Sequence, residues 1–110
     1  MSDIPDLVRR YFELAPQPDA DAYVAQFAPD ATVEDENKLH HGIDAIRAWR
    51  REVPLVTYTL HDITNTAGDV EDGYDASVDI AGGFAPDPIR LTFHFEFDNT
   101  AHIRILTIRP

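Results

Sequence analysis

The sequence contains no cysteine. Disulfide bonds, thiolate metal ligands and cysteine nucleophiles are therefore excluded. Basic residues are scarce as well: nine lysines and arginines stand against twenty aspartates and glutamates, which gives a net charge of −11. Such a chain has no basic stripe to neutralise phosphates, so binding to nucleic acid or to an anionic membrane surface is not expected. An acidic protein repels anionic ligands, and a neutral or cationic ligand is expected instead.

Several other signals are missing. No apolar run approaches the length of a membrane span, and the first ten residues lack the basic-then-apolar pattern of a secretion signal, which predicts a cytoplasmic protein. Gly-rich phosphate loops and nucleophile elbows are absent. The adjacent His40 and His41 are expected to diverge in a loop, and His61, His94 and His102 have no metal-ligand spacing. No metal and no other cofactor is therefore expected.

The composition fits one globular domain over residues 1–110. Apolar residues make up 44% of the chain, which is enough for a single core. Helical periodicity dominates the first half and strand alternation the second, and this order predicts an α+β fold.

Three helices are predicted, at about residues 4–15, 19–27 and 43–53. The apolar residues of the first helix fall at helical spacing and form one stripe. They are Ile4, Leu7, Val8, Tyr11, Leu14 and Ala15.

A short strand is predicted at residues 31–35, after a turn at Ala28-Pro29-Asp30. Alternation places Val33 and Asp35 on one face of this strand. A carboxylate on the same side as a core valine is unusual, and it makes Asp35 a candidate for chemistry.

Four longer strands follow, at about residues 55–66, 73–81, 89–97 and 101–109. The third of these alternates strictly between apolar and polar residues, which is the strongest strand signal in the chain. Turns are predicted at Gly68-Asp69 and at Pro86-Asp87-Pro88. Successive hairpins imply a curved antiparallel sheet with the three helices against one face.

The element order resembles the nuclear transport factor 2-like α+β cone fold. The segment YVAQFAPDATVED, followed by HHGIDAIRAWR, resembles the part of bacterial ketosteroid isomerases that ends in the catalytic aspartate. In that family a tyrosine of the first helix precedes the aspartate by 24 residues, and Tyr11 precedes Asp35 by the same interval. The resemblance covers about residues 4–53, and FDNTAHIRI is similar to the family's last hairpin. ATVED-type segments also occur in SnoaL-like polyketide cyclases.

The resemblance implies an enzyme that shifts a double bond next to a carbonyl by moving a proton within a small apolar ligand. Asp35 would be the base, and the Tyr11 hydroxyl would donate a hydrogen bond to the oxygen that gains negative charge. The pocket residues that follow from the resemblance and from the apolar pattern are Phe27, Val33, Trp49, Tyr58 and Phe93, with Phe84 as a further candidate. For Trp49 a plain core position is the alternative.

Two departures from the isomerase pattern leave other functions open. Phe93 stands where the family has a second acid, and Phe27 and Arg50 stand where it has supporting tyrosines, so the Tyr11 hydroxyl is expected to lack its hydrogen-bonding network. One alternative is a non-catalytic domain that binds a ligand or has a pocket filled by its own side chains. Another is a SnoaL-like cyclase or an epoxide hydrolase, which needs a second pocket acid. Asp79 or Glu96 would supply it, with Arg104 nearby, although alternation places Asp79 outward.

A homodimer is also expected, because small cone-fold domains usually cover the convex face of the sheet by pairing across a two-fold axis. The candidate interface residues are Thr57, Thr59, His61, Arg90, His94 and Arg104.

Overall fold

The computed structural model describes residues 4–53, 56–65, 73–82 and 85–110. Three helices lie within these ranges: Ile4–Leu14 (α1), Ala20–Val24 (α2) and Ile43–Glu52 (α3). The predicted α+β class is confirmed. The strands are Phe27–Asp35 (β1), Lys38–His41 (β2), Thr57–Asn65 (β3), Gly73–Gly82 (β4), Ala85–Phe97 (β5) and Ile103–Arg109 (β6).

All six strands form one curved sheet in the order β2-β1-β6-β5-β4-β3. The pairs β3–β4, β4–β5 and β5–β6 are antiparallel, as the successive hairpins predict. The prediction of a wholly antiparallel sheet is wrong for the first strand, which lies inside the sheet. This strand pairs in parallel with β6, the last strand, and in antiparallel with β2.

The strict alternation of β5 is reproduced in its burial. Phe93, Phe95 and Phe97 are buried, whereas His94 and Glu96 lie on the opposite face. Tyr11 on α1 packs its ring against Phe93 and Phe95, with centroids 6.1 and 5.2 Å apart. The apolar stripe of α1 therefore covers the same sheet face that the phenylalanines present.

Strand β1 begins earlier than predicted. The Ala28-Pro29-Asp30 turn is wrong, because these residues belong to the strand. The reason lies in the register with β6, in which Phe27 pairs with Ile103 and Thr32 with Ile105. An advance of five residues along β1 matches an advance of two along β6, so β1 bulges between Phe27 and Thr32. A proline is tolerated there because a bulge needs no ladder hydrogen bond from its nitrogen.

Strand β2 was not predicted. His40 and His41 lie in this strand and not in a loop, paired with Val33 and Thr32. The β1–β2 hairpin is closed by Glu36 and Asn37, both with positive φ (53° and 64°), as a two-residue hairpin turn of type I′ requires. Residues KLHH carry neither β-branched nor aromatic strand formers, so the sequence gives little sign of the strand.

The predicted turn at Pro86-Asp87-Pro88 is also wrong. These residues lie in β5, which pairs with β4 as far as Ala85 and Gly82. The predicted turn at Gly68-Asp69 and the candidate pocket residue Phe84 lie outside the described residues. No helix in the described ranges is long and apolar enough to cross a bilayer.

Candidate active site

A cavity of about 950 Å³ opens between the helices and the concave face of the sheet. Five of the predicted site residues border it: Tyr11, Asp35, Trp49, Tyr58 and Phe93. Residues far apart in sequence therefore meet around one space. Much of the remaining wall is apolar and consists of Val53, Val56, Ile80, Ile89, Leu91 and Ile108.

Two other residues predicted for the pocket do not border it. Val33 is completely buried in the core. Phe27 is buried too, and its ring packs against Tyr11 and Tyr23 with centroid distances of 6.4 and 5.5 Å. Both belong to the core beside the cavity, and of the β1 residues only Glu34 and Asp35 border the open space.

The Tyr11 hydroxyl does not lack a partner, and the prediction that it would is wrong. It lies 2.7 Å from the hydroxyl of Tyr23, and either oxygen can be the donor. Each tyrosine is only 2% exposed, and both border the cavity. Burial, reinforced by the neighbouring phenol, raises the pKa of Tyr11 well above its usual value, so the group stays protonated and able to donate.

Tyr23 is a functional candidate that the sequence reasoning missed. It occupies the end of α2, and burial raises its pKa as well. Tyr23 and Phe27 lie on one face of the predicted second helix, and that spacing is the only sequence signal that could have pointed to it. The structure puts Phe27 in the core and Tyr23 at the Tyr11 hydroxyl.

Asp35 lies at the end of β1, half-buried, with its side chain directed to α3. The indole nitrogen of Trp49 donates a hydrogen bond to Asp35 Oδ2 at 3.1 Å. Within the described part of the chain no hydrogen bond reaches Oδ1. Trp49 therefore lines the cavity and orients the carboxylate, so it is more than a core residue. Oδ1 therefore remains available to accept a proton or a further hydrogen bond.

His40 also borders the cavity. Its register partner is Val33, so its side chain emerges on the same sheet face as Val33 and Asp35. The His40 ring lies 5.9 Å from the Trp49 ring. Trp49 therefore contacts both the imidazole and the Asp35 carboxylate. The sequence does not indicate this group, because residues 38–41 carry no clear strand pattern.

Phe93 occupies the inner face of β5, as the strand alternation predicts, and it cannot donate a hydrogen bond to a ligand. Neither alternative acid replaces it. Asp79 lies on the outer face, where hydrogen bonds from Arg90 and then His61 lower its pKa. Glu96 is bound there by His94 and Arg104. The cavity acids other than Asp35 are Glu34, Glu36 and Glu52.

The described residues contain no group of three or more histidines, aspartates or glutamates placed to hold a metal ion. The chemistry that these residues support by themselves is proton transfer: a carboxylate oriented by an indole, a pair of protonated phenols and an imidazole border one space.

Solved structures similar to this chain share its fold. A candidate polyketide cyclase from Sinorhizobium meliloti is 30% identical, with a TM-score of 0.83 over 96% of this chain and 94% of that one. The epoxide hydrolase/cyclase-like enzyme SalBIII, which acts in pyran ring formation in the polyether salinomycin, is 19% identical, with a TM-score of 0.82 over 96% and 88%. An NTF2-like protein from Cytophaga hutchinsonii is 12% identical, with a TM-score of 0.80 over 98% and 89%.

Among curated protein sequences there is no significant match. The family model of the SnoaL-like domain, however, matches residues 8–105, which is most of the chain. Together with the six-stranded curved sheet and the similar structures, this match places the chain in the SnoaL-like domain family, within the nuclear transport factor 2-like superfamily.

Proposed function

We propose that this protein moves a proton within a small, mostly apolar carbonyl compound and so shifts a carbon–carbon double bond. The observation that carries the proposal is the shared cavity: a carboxylate with one uncommitted oxygen and a buried pair of phenols face the same largely apolar space. Low polarity in such a site strengthens each hydrogen bond to a developing negative charge.

The reaction proceeds in two proton transfers. Asp35 Oδ1 removes a proton from the carbon next to the carbonyl, and the bonding electrons move onto the carbonyl oxygen to give an enolate. Tyr11 donates a hydrogen bond to that oxygen as its charge grows. The protonated Asp35 then returns the proton to the carbon at the far end of the conjugated system, so the double bond has moved and the enzyme is unchanged.

A β,γ-unsaturated ketone such as a 5-ene-3-ketosteroid tests the proposal, since the conjugated product absorbs in the ultraviolet. The change of Asp35 to asparagine should lower kcat by about 10²–10⁴-fold, the range for loss of a general base. Asp30→Asn is the matched control, because Asp30 is an exposed acid of the same strand that does not border the cavity. Full activity in Asp35→Asn would remove this carboxylate from the mechanism.

A second candidate function is ring closure or epoxide opening, the chemistry named for the candidate polyketide cyclase and for SalBIII. The specific observation in its favour is His40. An imidazole that borders the cavity could protonate the oxygen that leaves while Asp35 takes a proton from the attacking hydroxyl. Turnover of a hydroxy-epoxide that is lost in both Asp35→Asn and His40→Gln, without isomerisation of the ketone, would favour this candidate.

A non-catalytic binding domain is the remaining alternative. The cavity of about 950 Å³ argues against the version in which the protein's own side chains fill the pocket. An apolar ketone that binds with a measurable Kd but is neither isomerised nor cyclised would support binding alone.

We further propose that the outer face of β3 to β6 is a homodimer interface. That face carries an array of ion pairs, in which Asp79 joins His61 and Arg90 while His94 joins Asp75 and Glu96. Such mixed polar surfaces suit a self-complementary contact. Sedimentation equilibrium at micromolar concentration tests the proposal, and a monomer there would refute it.

A further inference from the structure

Arg50 has an unusual position for an arginine. It lies in the last turn of α3 and borders the cavity. The central carbon of its guanidinium lies 4.5 Å from the centroid of the Tyr23 ring, over the face of the phenol. Its Nη2 donates hydrogen bonds to the backbone carbonyls of Gln17 and, at 3.4 Å, of Ala15. These contacts hold the cation directly behind the Tyr11–Tyr23 pair.

The charge of Arg50 is not neutralised by a carboxylate. Among the described residues no acidic side chain forms an ion pair with it, whereas Arg47 on the same helix is paired with Asp21 at 2.8 Å. Arg50 Nε is buried and has no hydrogen-bond partner in the described part of the chain. Arg50 as a whole is half-buried, and a partly desolvated positive charge without a counter-ion favours a negative charge nearby. The enolate oxygen of the proposed reaction would supply one.

We propose that Arg50 is a positioning residue that sets the direction of the Tyr23–Tyr11 hydrogen bond, so that Tyr23 donates to Tyr11 and Tyr11 donates to the ligand. This inference rests on the proposed function. A cation over the Tyr23 ring draws electron density from the phenol and makes its O–H the stronger donor of the two. If the bond ran the other way, the Tyr11 proton would point at Tyr23 and not into the cavity.

The arrangement offers a physical substitute for the missing second acid. Phe93 cannot donate to the oxygen, and a chain of two phenols backed by a cation strengthens Tyr11 as a donor in its place. The substrate can be neutral when it binds, because its interaction with the positive charge becomes strong only as negative charge develops on the oxygen.

The test uses 2-naphthol, whose absorbance distinguishes the neutral phenol from the naphtholate. It is bound to the Asp35→Asn protein, in which position 35 is neutral as it is once Asp35 has taken the proton. The ionisation of the bound naphthol is then followed with pH. Arg50→Gln removes the charge and keeps an amide donor. It should reduce the naphtholate-to-naphthol ratio by on the order of tenfold, as expected for one unit charge roughly 10 Å from the naphthol oxygen at an effective dielectric constant of about 20.

Three further variants separate a role in positioning from a structural one. Arg50→Lys retains the charge and should restore most of the naphtholate fraction. Tyr23→Phe breaks the chain of donors and should lower the ratio about as much as Arg50→Gln. Arg47→Gln removes a charge from the same helix away from the cavity and should leave the ratio unchanged.

The inference is overturned if the naphtholate ratio in Arg50→Gln equals that of the parent, or if Tyr23→Phe leaves it unchanged. The second comparison holds even where Arg50→Gln does not fold. Because this readout needs no turnover, its failure is distinct from failure of the proposed function, which shows as absence of ketone isomerisation by the unmodified protein.

Discussion

Removing one hydroxyl of the Tyr11–Tyr23 pair leaves the other without a hydrogen-bond partner. The two oxygens lie 2.7 Å apart, each side chain is 2% exposed, and neither hydroxyl has another hydrogen-bond partner in the described part of the chain. A buried hydroxyl left without its partner costs about 1–3 kcal/mol of unfolding free energy. Tyr11→Phe and Tyr23→Phe should each show that loss. The double variant removes both groups and should cost no more than either single one.

Urea denaturation followed by circular dichroism measures the three differences. With a urea m-value of about 1–3 kcal/mol/M, a loss of about 2 kcal/mol moves the midpoint by roughly 1 M. The coupling energy between the two changes should reach about 1–3 kcal/mol. Tyr58→Phe is the control, since Tyr58 borders the same cavity and its hydroxyl makes no hydrogen bond to a described residue.

Additive losses, or single losses below about 0.5 kcal/mol, would refute the reasoning, because they would mean that solvent in the cavity satisfies both hydroxyls. Turnover gives an independent comparison. Loss of the donor nearest the ligand, in Tyr11→Phe, should lower kcat by about 10²–10³-fold. Tyr23→Phe should lower kcat less, since Tyr23 acts through Tyr11.

Three other predictions concern substitutions of single residues. Trp49→Phe removes the 3.1 Å hydrogen bond to Asp35 and should lower kcat about tenfold with a smaller effect on KM, in line with about 1.4 kcal/mol of lost orientation; equal activity would show that the indole does not orient the base. Burial alone would lower the pKa of His94, but hydrogen bonds to Asp75 and Glu96 outweigh it and raise that pKa. The stability that protonated His94 adds to the folded state is therefore complete below the unfolded pKa of about 6.5 and is lost as the pH rises through the folded value. The difference in Tm between the parent and His94→Gln should be larger near pH 6 than near pH 9, and a difference that grows with pH would contradict this. Gly42 has φ 88° and ψ 161°, a region open almost only to glycine, and a Cβ added at this position would meet no atom within 4 Å. Gly42→Ala should cost about 1–3 kcal/mol in urea denaturation through backbone strain alone, and a neutral result would show that the backbone relaxes.

The fold was predictable where one physical pattern dominated. The alternation of Phe93, Phe95 and Phe97 and the apolar stripe of α1 each bury one face, and both were read correctly from the residues. The start of β1 was not, because its pairing is decided by β6, far away in the sequence. Strand β2 was not, because KLHH contains no strong strand formers although its partner β1 is adjacent in sequence. Pro29 looks like a turn residue in isolation, yet the register of Phe27 and Thr32 with β6 makes room for it in a bulge.

The site divides in the same way. The spacing of Tyr11 and Asp35, taken with the family resemblance, was enough to nominate both, and both border the cavity. The contacts that define their surroundings come from side chains that meet only when helices cross. Tyr23 reaches Tyr11 from another helix, and Trp49 reaches Asp35 from a third. No local pattern encodes such meetings, so a prediction from the residues alone left the phenol without a partner.

The parallel pairing of β1 with β6 has a consequence for how the molecule is assembled. Asp35 lies opposite Ile108 in that ladder, and Ile108 is also part of the cavity wall. A nascent chain that has emerged only through α3 already contains Asp35, Trp49 and both tyrosines. It still lacks β5 and β6, the central strands of the sheet. The cavity wall is therefore complete only when β6 inserts between β1 and β5. Pairing between residues so far apart in sequence is expected to be slow. Until it is complete, the apolar faces of the helical part and of the β3–β5 sheet stay exposed to chaperones or to aggregation.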